Sequence, residues 1–236
     1  KMIEIKNLTK TYITKGKVKT VFKNLSLKLD TGKSVALLGC NGAGKSTLLQ
    51  LIGGIDYPDS GSIQTDRSIS WPVGISGGFQ GSLTARENVT FVSKIYTRND
   101  KELIKEKVSL VEDFAEIGEA FDRPFKTYSK GMKSRVTFGL SLAFKFDVYL
   151  IDEITAAGDA RFRNRCKKAL DELRKTSDFI MVNHNLYGLK EHCDKALLLH
   201  EGEMLEYSDL DKAISIHREL MNNPELFEKY KKENLK

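Results

Sequence analysis

The chain has 236 residues, of which 40% are hydrophobic and 30% charged, and its 38 Lys and Arg outweigh 32 Asp and Glu to give a net charge of +6. That balance belongs to a folded globular protein and excludes a disordered or fibrous one. No run of about 18 apolar residues is present, and the polar start "KMIEIKNLTKTY" reads as neither a membrane span nor a secretory leader, so a cytoplasmic chain is expected.

Cys40, Cys166 and Cys193 are scattered and form no CxxC pair, which argues for reduced thiols over a disulfide framework or a zinc site. The positive charge suits an anionic partner such as a nucleotide, nucleic acid or lipid surface. A lysine-rich solvated face accounts for it equally well.

In chain order, "MIEIKNL" and "TVFKNLSLKL" alternate as half-exposed strands, and "KSVALLG" reads as a buried strand that ends in a glycine-rich turn before the helix "STLLQLIGG". Thr84 and Glu87 in "TARE" form a capping box that starts the next helix. From Asn99, Ile104, Val108, Val111 and Ala115 share one helical face, with Gly118 as the stop. A further amphipathic stretch from Lys130 to Phe146 turns Val136, Leu140, Ala143 and Phe144 inward, starting from Ser129 as its N-cap. Then "VYLIDEI", "FIMVNH", "KALLLH" and "EMLEY" resume the sheet. The expected fold is α/β: a parallel-sheet core, an N-terminal antiparallel β subdomain, and a helical subdomain inserted at about 84–146 in a single domain spanning 1–236. The charged segment at about 208–236, with "NNPELFEKYKKENLK" at its end, is expected to be a solvated terminal helix.

"GCNGAGKST" carries the strongest chemical signal. Gly39, Cys40, Asn41, Gly42, Ala43, Gly44, Lys45, Ser46 and Thr47 follow a buried strand and open a helix, the context that GxxxxGK(S/T) requires. Backbone N–H groups then curl round phosphates at a helix N-terminus, Lys45 reaches the β- and γ-phosphates, and the Ser46 hydroxyl ligates magnesium. In "VYLIDE", four apolar residues bury a strand and leave Asp152 at its end to hold the magnesium ion. Glu153 follows, placed to orient or deprotonate the attacking water. His184 ends "FIMVNH" at a similar strand end, where an imidazole can contact the γ-phosphate; a lone histidine there is also a common structural residue.

The order of these motifs resembles the ATP-binding subunit of an ABC transporter, from Ile3 to about Tyr207. "SWPVGISGGFQGSLTARENV" and "AFKFDVYLIDEITAAGDARF" are most similar to the ATPases of bacterial capsular polysaccharide exporters, and more distantly to those of O-antigen and teichoic acid exporters. The resemblance implies a P-loop NTPase core with an inserted helical signature subdomain. It also implies a homodimer that closes head to tail on two ATP molecules with Mg2+, acting as an ATPase that powers polysaccharide export through a separate integral membrane permease. Such a subunit is peripheral, on the cytoplasmic face of the inner membrane, with periplasmic and outer-membrane capsule components as indirect partners and no nucleic acid.

Carried over by position, Tyr12 stacks on adenine, and Ser129, Lys130 and Gly131 of "YSKGM" contact the ATP held by the opposite subunit. Asp159 of "TAAGDARF" forms the turn that reaches across the dimer. Two departures stand out. Gln80 lies only three residues before Leu83, closer to the following helix start than the glutamine loop of the wider family. The usual LSGGQ is replaced by "YSKGM", so Met132 stands where glutamine completes a reciprocal cap, while Lys130 adds a cation. The alternatives are another ABC transporter ATPase, whether teichoic acid, O-antigen or small-molecule, and a soluble ABC ATPase acting on ribosomes or DNA. A P-loop switch or kinase of another family needs neither "YSKGM" nor the Asp159 turn.

Overall fold

The computed structural model describes residues 2–14, 16–73, 78–152, 159–183 and 186–234. The chain divides into two compact units, one of Lys1–Pro72, Asp147–Glu153 and Thr176–Lys236, the other of Val73–Phe146 and Ile154–Lys175.

In the first unit, β1 (Met2–Thr14) pairs antiparallel with β2 (Lys17–Asp30) and with β4 (Ser60–Thr65) to form the expected N-terminal sheet, in the order β2-β1-β4. A second sheet has the order β5-β6-β7-β3-β8-β9, from β3 (Val35–Leu38), β5 (Ile69–Val73), β6 (Val148–Asp152), β7 (Asp178–Val182), β8 (Lys195–His200) and β9 (Glu203–Tyr207). Its central strands β6, β7, β3 and β8 are parallel, and β9 returns antiparallel to β8. "VALL", "DFIMV" and "KALLL" are buried along their whole length, as strands covered on both faces must be. Helix α1 (Lys45–Ile52) joins the two sheets through one apolar cluster, in which its Leu48 and Leu49 meet Ile5, Leu8 and Phe22 of the first sheet and Leu37, Leu150 and Leu197 of the second.

Polar staples set the opposite ends of these strands. Asp178 accepts from the Gly32 N–H at 2.8 Å and from the Arg67 guanidinium at 2.6 Å, and the Ser34 N–H donates to Asp194 at 2.6 Å. The strand ends that lead to β3 and β7 are thereby pinned, which leaves their carboxyl ends to carry the loops. Ligands of open α/β sheets bind at those ends.

The second unit is helical. Thr84 caps α2 (Ala85–Tyr96), accepting from the Glu87 N–H while the Glu87 carboxylate accepts from the Thr84 N–H, which is the anticipated capping box. Helix α3 (Lys101–Ala115) buries Ile104, Val108, Val111 and Ala115 as its periodicity required. Its end differs from the sequence expectation. Glu116 takes the left-handed cap with φ 47°, and Gly118 instead opens a 3-10 turn, Gly118–Asp122. The Glu116 carboxylate pairs with Arg165 at 2.6 Å and Arg161 at 3.2 Å. Helices α4 (Lys130–Ala143) and α5 (Ala160–Arg174) complete the unit around Phe114, which stacks on Phe138 and meets Phe162 edge-on, each at 5.6 Å. The unit therefore begins before residue 84 and takes in α5, because Phe162 belongs to its aromatic core.

The terminal segment, expected at about 208–236 as a solvated helix, is instead two helices packed on the first unit. Helix α6 (Leu186–His192) precedes β8, and α7 (Leu210–Asn222) buries Ala213, Ile214, Ile216 and Leu220. The chain breaks at Asn223–Pro224 and continues as α8 (Phe227–Asn234). Phe227 and Tyr230, three residues apart, form an apolar stripe among the charges of α8. Phe227 packs 4.6 Å from the His200 ring, and Tyr230 hydrogen-bonds to Glu219.

Candidate functional site

The phosphate loop spans Gly39–Gly44 between β3 and α1. Gly39, Gly42 and Gly44 have φ of 151°, 80° and 104°, and two of them also lack room for a side chain. A β-carbon on Gly39 would come within 2.4 Å of the Leu199 carbonyl oxygen, and one on Gly44 within 2.5 Å of a Val21 methyl. The loop is therefore folded tightly against β8 and β2, and it leads directly into α1, whose first-turn N–H groups have no partner within the helix. Lys45 curls back to donate to the carbonyls of Gly39 at 2.6 Å and Cys40 at 3.0 Å, which holds its ammonium over the loop. Lys19 of β2 contributes a second cation, with its ammonium 3.4 Å from the Gly42 carbonyl. The sequence reading missed Lys19; the signal was its cross-strand pairing with Tyr12, which places both on one face of the hairpin.

Tyr12 is half-buried beside this loop. Its hydroxyl donates to Asp56 at 2.6 Å, and the Lys10 ammonium lies 5.0 Å from its ring centroid and 2.8 Å from the same carboxylate. The Lys10 ammonium, then the Tyr12 hydroxyl, hold the Asp56 carboxyl below the usual range. Burial, reinforced by that carboxylate, pushes the Tyr12 phenol up. The ring is thus fixed in orientation by a charge-assisted bond that reaches from β1 to the turn after α1.

Asp152 ends β6, half-buried after four buried residues. Ser46 lies in the first turn of α1. Among the described residues, neither side chain makes a hydrogen bond or ion pair that would tie it elsewhere. A hydroxyl and a carboxylate are hard oxygen donors, the set that Mg2+ prefers. Glu153 and His184, the expected catalytic residues, lie outside the described residues. So do 74–77, ahead of Gln80.

Gln80 and the signature belong to the second unit. The Gln80 side chain is exposed, while its backbone is gripped by Asn88. That buried amide accepts from the Gln80 N–H at 2.7 Å and donates to the carbonyls of Gln80 at 3.0 Å and Thr84 at 2.9 Å. Asn88 was another residue the motif reading passed over, though it follows directly on the capping-box Glu87. Ser129 caps α4 by accepting from the Met132 N–H at 3.2 Å. Lys130 and Gly131 occupy the first two helical positions, and Met132, the third, has no side-chain oxygen to accept from the Ser129 N–H and return the bond. Asp159 caps α5 through the Phe162 N–H at 2.8 Å and pairs with Arg135 of α4 at 3.1 Å. The Phe162 N–H, then the Arg135 charge, hold its carboxyl below the usual range. Burial pushes the Cys166 thiol up to about 12, which leaves it protonated and inert at neutral pH.

A family profile described as ABC transporter matches residues 22–156. The polysialic acid transport ATP-binding protein KpsT of Escherichia coli is 56% identical over 206 residues, covering 87% of this chain and 91% of that protein. The capsule polysaccharide export ATP-binding protein CtrD of Neisseria meningitidis is 43% identical over 219 residues, covering 93% of this chain and 100% of that protein. Among solved structures, a dimeric ATP-binding cassette in a post-hydrolysis state bound to ADP and Pi is 25% identical, with a TM-score of 0.72, covering 86% of this chain and 97% of that one.

Proposed function

Because this chain belongs to the ABC transporter family, we propose that it is the ATP-hydrolysing subunit of a polysaccharide exporter, dimerising on two MgATP and driving a separate membrane subunit. No helix among the described residues is long and apolar enough to cross a membrane, so the transported chain needs a pathway supplied by that partner. Support for a capsular type of glycan comes from the KpsT and CtrD relatives, whose names specify polysialic acid transport and capsule polysaccharide export.

In this reading the loop N–H groups and Lys45 hold the β- and γ-phosphates, and Tyr12 stacks on the adenine with Lys19 at the loop edge. Ser46 and Asp152 would hold Mg2+, which when bound neutralises phosphate charge. Glu153 orients and deprotonates the attacking water, with His184 fixing its register. The N-cap hydroxyl of Ser129, with the free N–H groups of Lys130 and Gly131, faces the γ-phosphate bound to the second copy, where Asp159 also reaches. Gln80 carries the state of the γ-phosphate toward the membrane subunit. Separation of the copies follows loss of that phosphate.

The observation that carries this reading is the phosphate loop, in which Gly39 and Gly44 leave no room for a β-carbon and the Lys45 ammonium already lies over the loop carbonyls. Lys45→Ala should abolish ATP hydrolysis by the chain together with its membrane subunit, and export of glycan in cells that carry only this variant. Hydrolysis at the unsubstituted rate would refute the assignment.

A further inference from the structure

A cavity of about 210 Å³ opens behind the phosphate loop, at the carboxyl ends of β3 and β7. Gly39 and Lys45 line one side, Asn183 and Leu186 another, and α7 closes it with His217 and Arg218. Arg218 makes no ion pair among the described residues, and no carboxylate lines the cavity among them. A second, smaller cavity of about 130 Å³ shares Leu186 and Arg218 and runs on between α6 and α7 past Ser215 to Lys190 and Asp211, which both line it and are paired with each other. The two form one cleft, with Lys45 at its inner end and Arg218 at the middle.

We propose that this cleft binds orthophosphate after hydrolysis, with Arg218 as its anchor, and that the anion leaves the loop between α6 and α7. The inference rests on the ATPase reading above. Hydrolysis forms a bond from water oxygen to the γ-phosphorus and breaks the bond to the β,γ-bridging oxygen, leaving ADP and a free tetrahedral oxyanion beside Lys45. The inner cavity admits such an anion and is smaller than the pockets of about 300 to 1,000 Å³ that hold drug-sized ligands. Its two cations lie against an apolar lining that includes Leu37, Leu38 and Val182, where charge interactions are less screened than in water. A guanidinium is suited to phosphate oxygens because it offers paired donors in a fixed plane. Phosphate passing from Lys45 to Arg218 exchanges one cation for another and is not left unpaired against the apolar side chains of the inner cavity.

The probe is inorganic phosphate added to the full chain with saturating ADP, which occupies the phosphate loop, and binding is read from the 31P line width. The unsubstituted chain should broaden the phosphate resonance, Arg218→Gln should weaken that binding by about tenfold, as loss of a charged hydrogen bond does, and Arg218→Lys should restore part of it. Inhibition of steady-state ATP hydrolysis by added phosphate should weaken to the same extent in Arg218→Gln, with the KM for ATP unchanged. Equal phosphate affinity in the unsubstituted chain and Arg218→Gln, or no broadening by the unsubstituted chain, would overturn the cleft. Absence of ATP hydrolysis by the unsubstituted chain together with its membrane subunit would instead overturn the reading on which it rests, while the phosphate titration still reports on the cleft.

Discussion

The Arg135 guanidinium lies 3.1 Å from the Asp159 carboxylate, so the helix that starts at the signature serine and the helix that starts at the aspartate turn are joined by an ion pair. The two Asp159 oxygens divide the work: Oδ1 accepts from the Phe162 N–H and Oδ2 faces Arg135. Arg135 also lies 4.3 Å over the Phe162 ring, which keeps its charge directed at the turn.

That division separates two substitutions. Asp159→Asn retains a capping oxygen and removes the charge, whereas Asp159→Ala removes both. Urea unfolding at pH 7 should show a larger loss for Ala than for Asn, since Asn caps helices about as well as Asp and an exposed ion pair contributes little. The folded carboxyl titrates below its unfolded value, so its contribution is present above the unfolded pKa of about 3.9 and is lost as pH falls through the folded one. The difference between the unsubstituted chain and Asp159→Ala should therefore shrink below about pH 4. A difference that grows on acidification would contradict the assignment of the cap.

Tyr12 provides a similar separation of ring from hydroxyl. Loss of a stacking ring costs about 1 to 3 kcal/mol, so Tyr12→Ala should weaken ATP binding by roughly 5- to 150-fold. Tyr12→Phe keeps the ring and breaks only the bond to Asp56, and its ATP affinity should stay within about threefold. Titration with a fluorescent ATP analogue distinguishes the outcomes, and equal losses in both variants would assign the effect to the Asp56 link instead of to stacking.

Much of this fold was legible in local chemistry. Thr84 and Glu87 announce their helix because both partners of the capping box lie within four residues. The apolar run "VALL" before a glycine loop is readable because a buried parallel strand has no polar face to alternate with. What the residues conceal is long-range. Nothing near Asn88 in sequence says that its amide grips the Gln80 turn, and nothing near Asp56 says that Lys10 and Tyr12 converge on it. The stripe of Phe227 and Tyr230 is two residues among lysines and glutamates, too short a period to stand out until β9 and α7 supply the surface it covers. The phosphate loop could be read residue by residue, yet the approach of α7 to its rear could not, because that contact depends on how the chain returns after β9.

Asn88→Ala should cost about 1 to 3 kcal/mol of stability by leaving buried backbone groups of the Gln80 turn unpaired. Asn88→Asp keeps an acceptor for the Gln80 N–H but loses the donors to the carbonyls of Gln80 and Thr84. Thermal unfolding should rank the unsubstituted chain above both variants. Unchanged melting of Asn88→Ala would show that the amide is dispensable to the turn.

At the α4 start, Met132→Gln can complete the reciprocal cap with Ser129 and should raise stability by about 0.5 kcal/mol. Lys130→Gly should weaken ATP-driven dimerisation and reduce its sensitivity to salt, because the proposed contact of Lys130 with phosphate is screened by ions. If association and its salt dependence are the same in Lys130→Gly as in the unsubstituted chain, the lysine is only a solvated residue of the first turn.

Central to the proposed function is the closure of two copies on ATP that one copy cannot hydrolyse alone. Glu153→Gln should slow turnover by about 10² to 10⁴ while ATP binding is retained, which traps the closed state. Sedimentation velocity of this variant at saturating ATP and Mg2+ is the direct test: a dimer that returns to monomer when ATP is replaced by ADP is the predicted profile, and a monomer at saturating ATP would contradict the account.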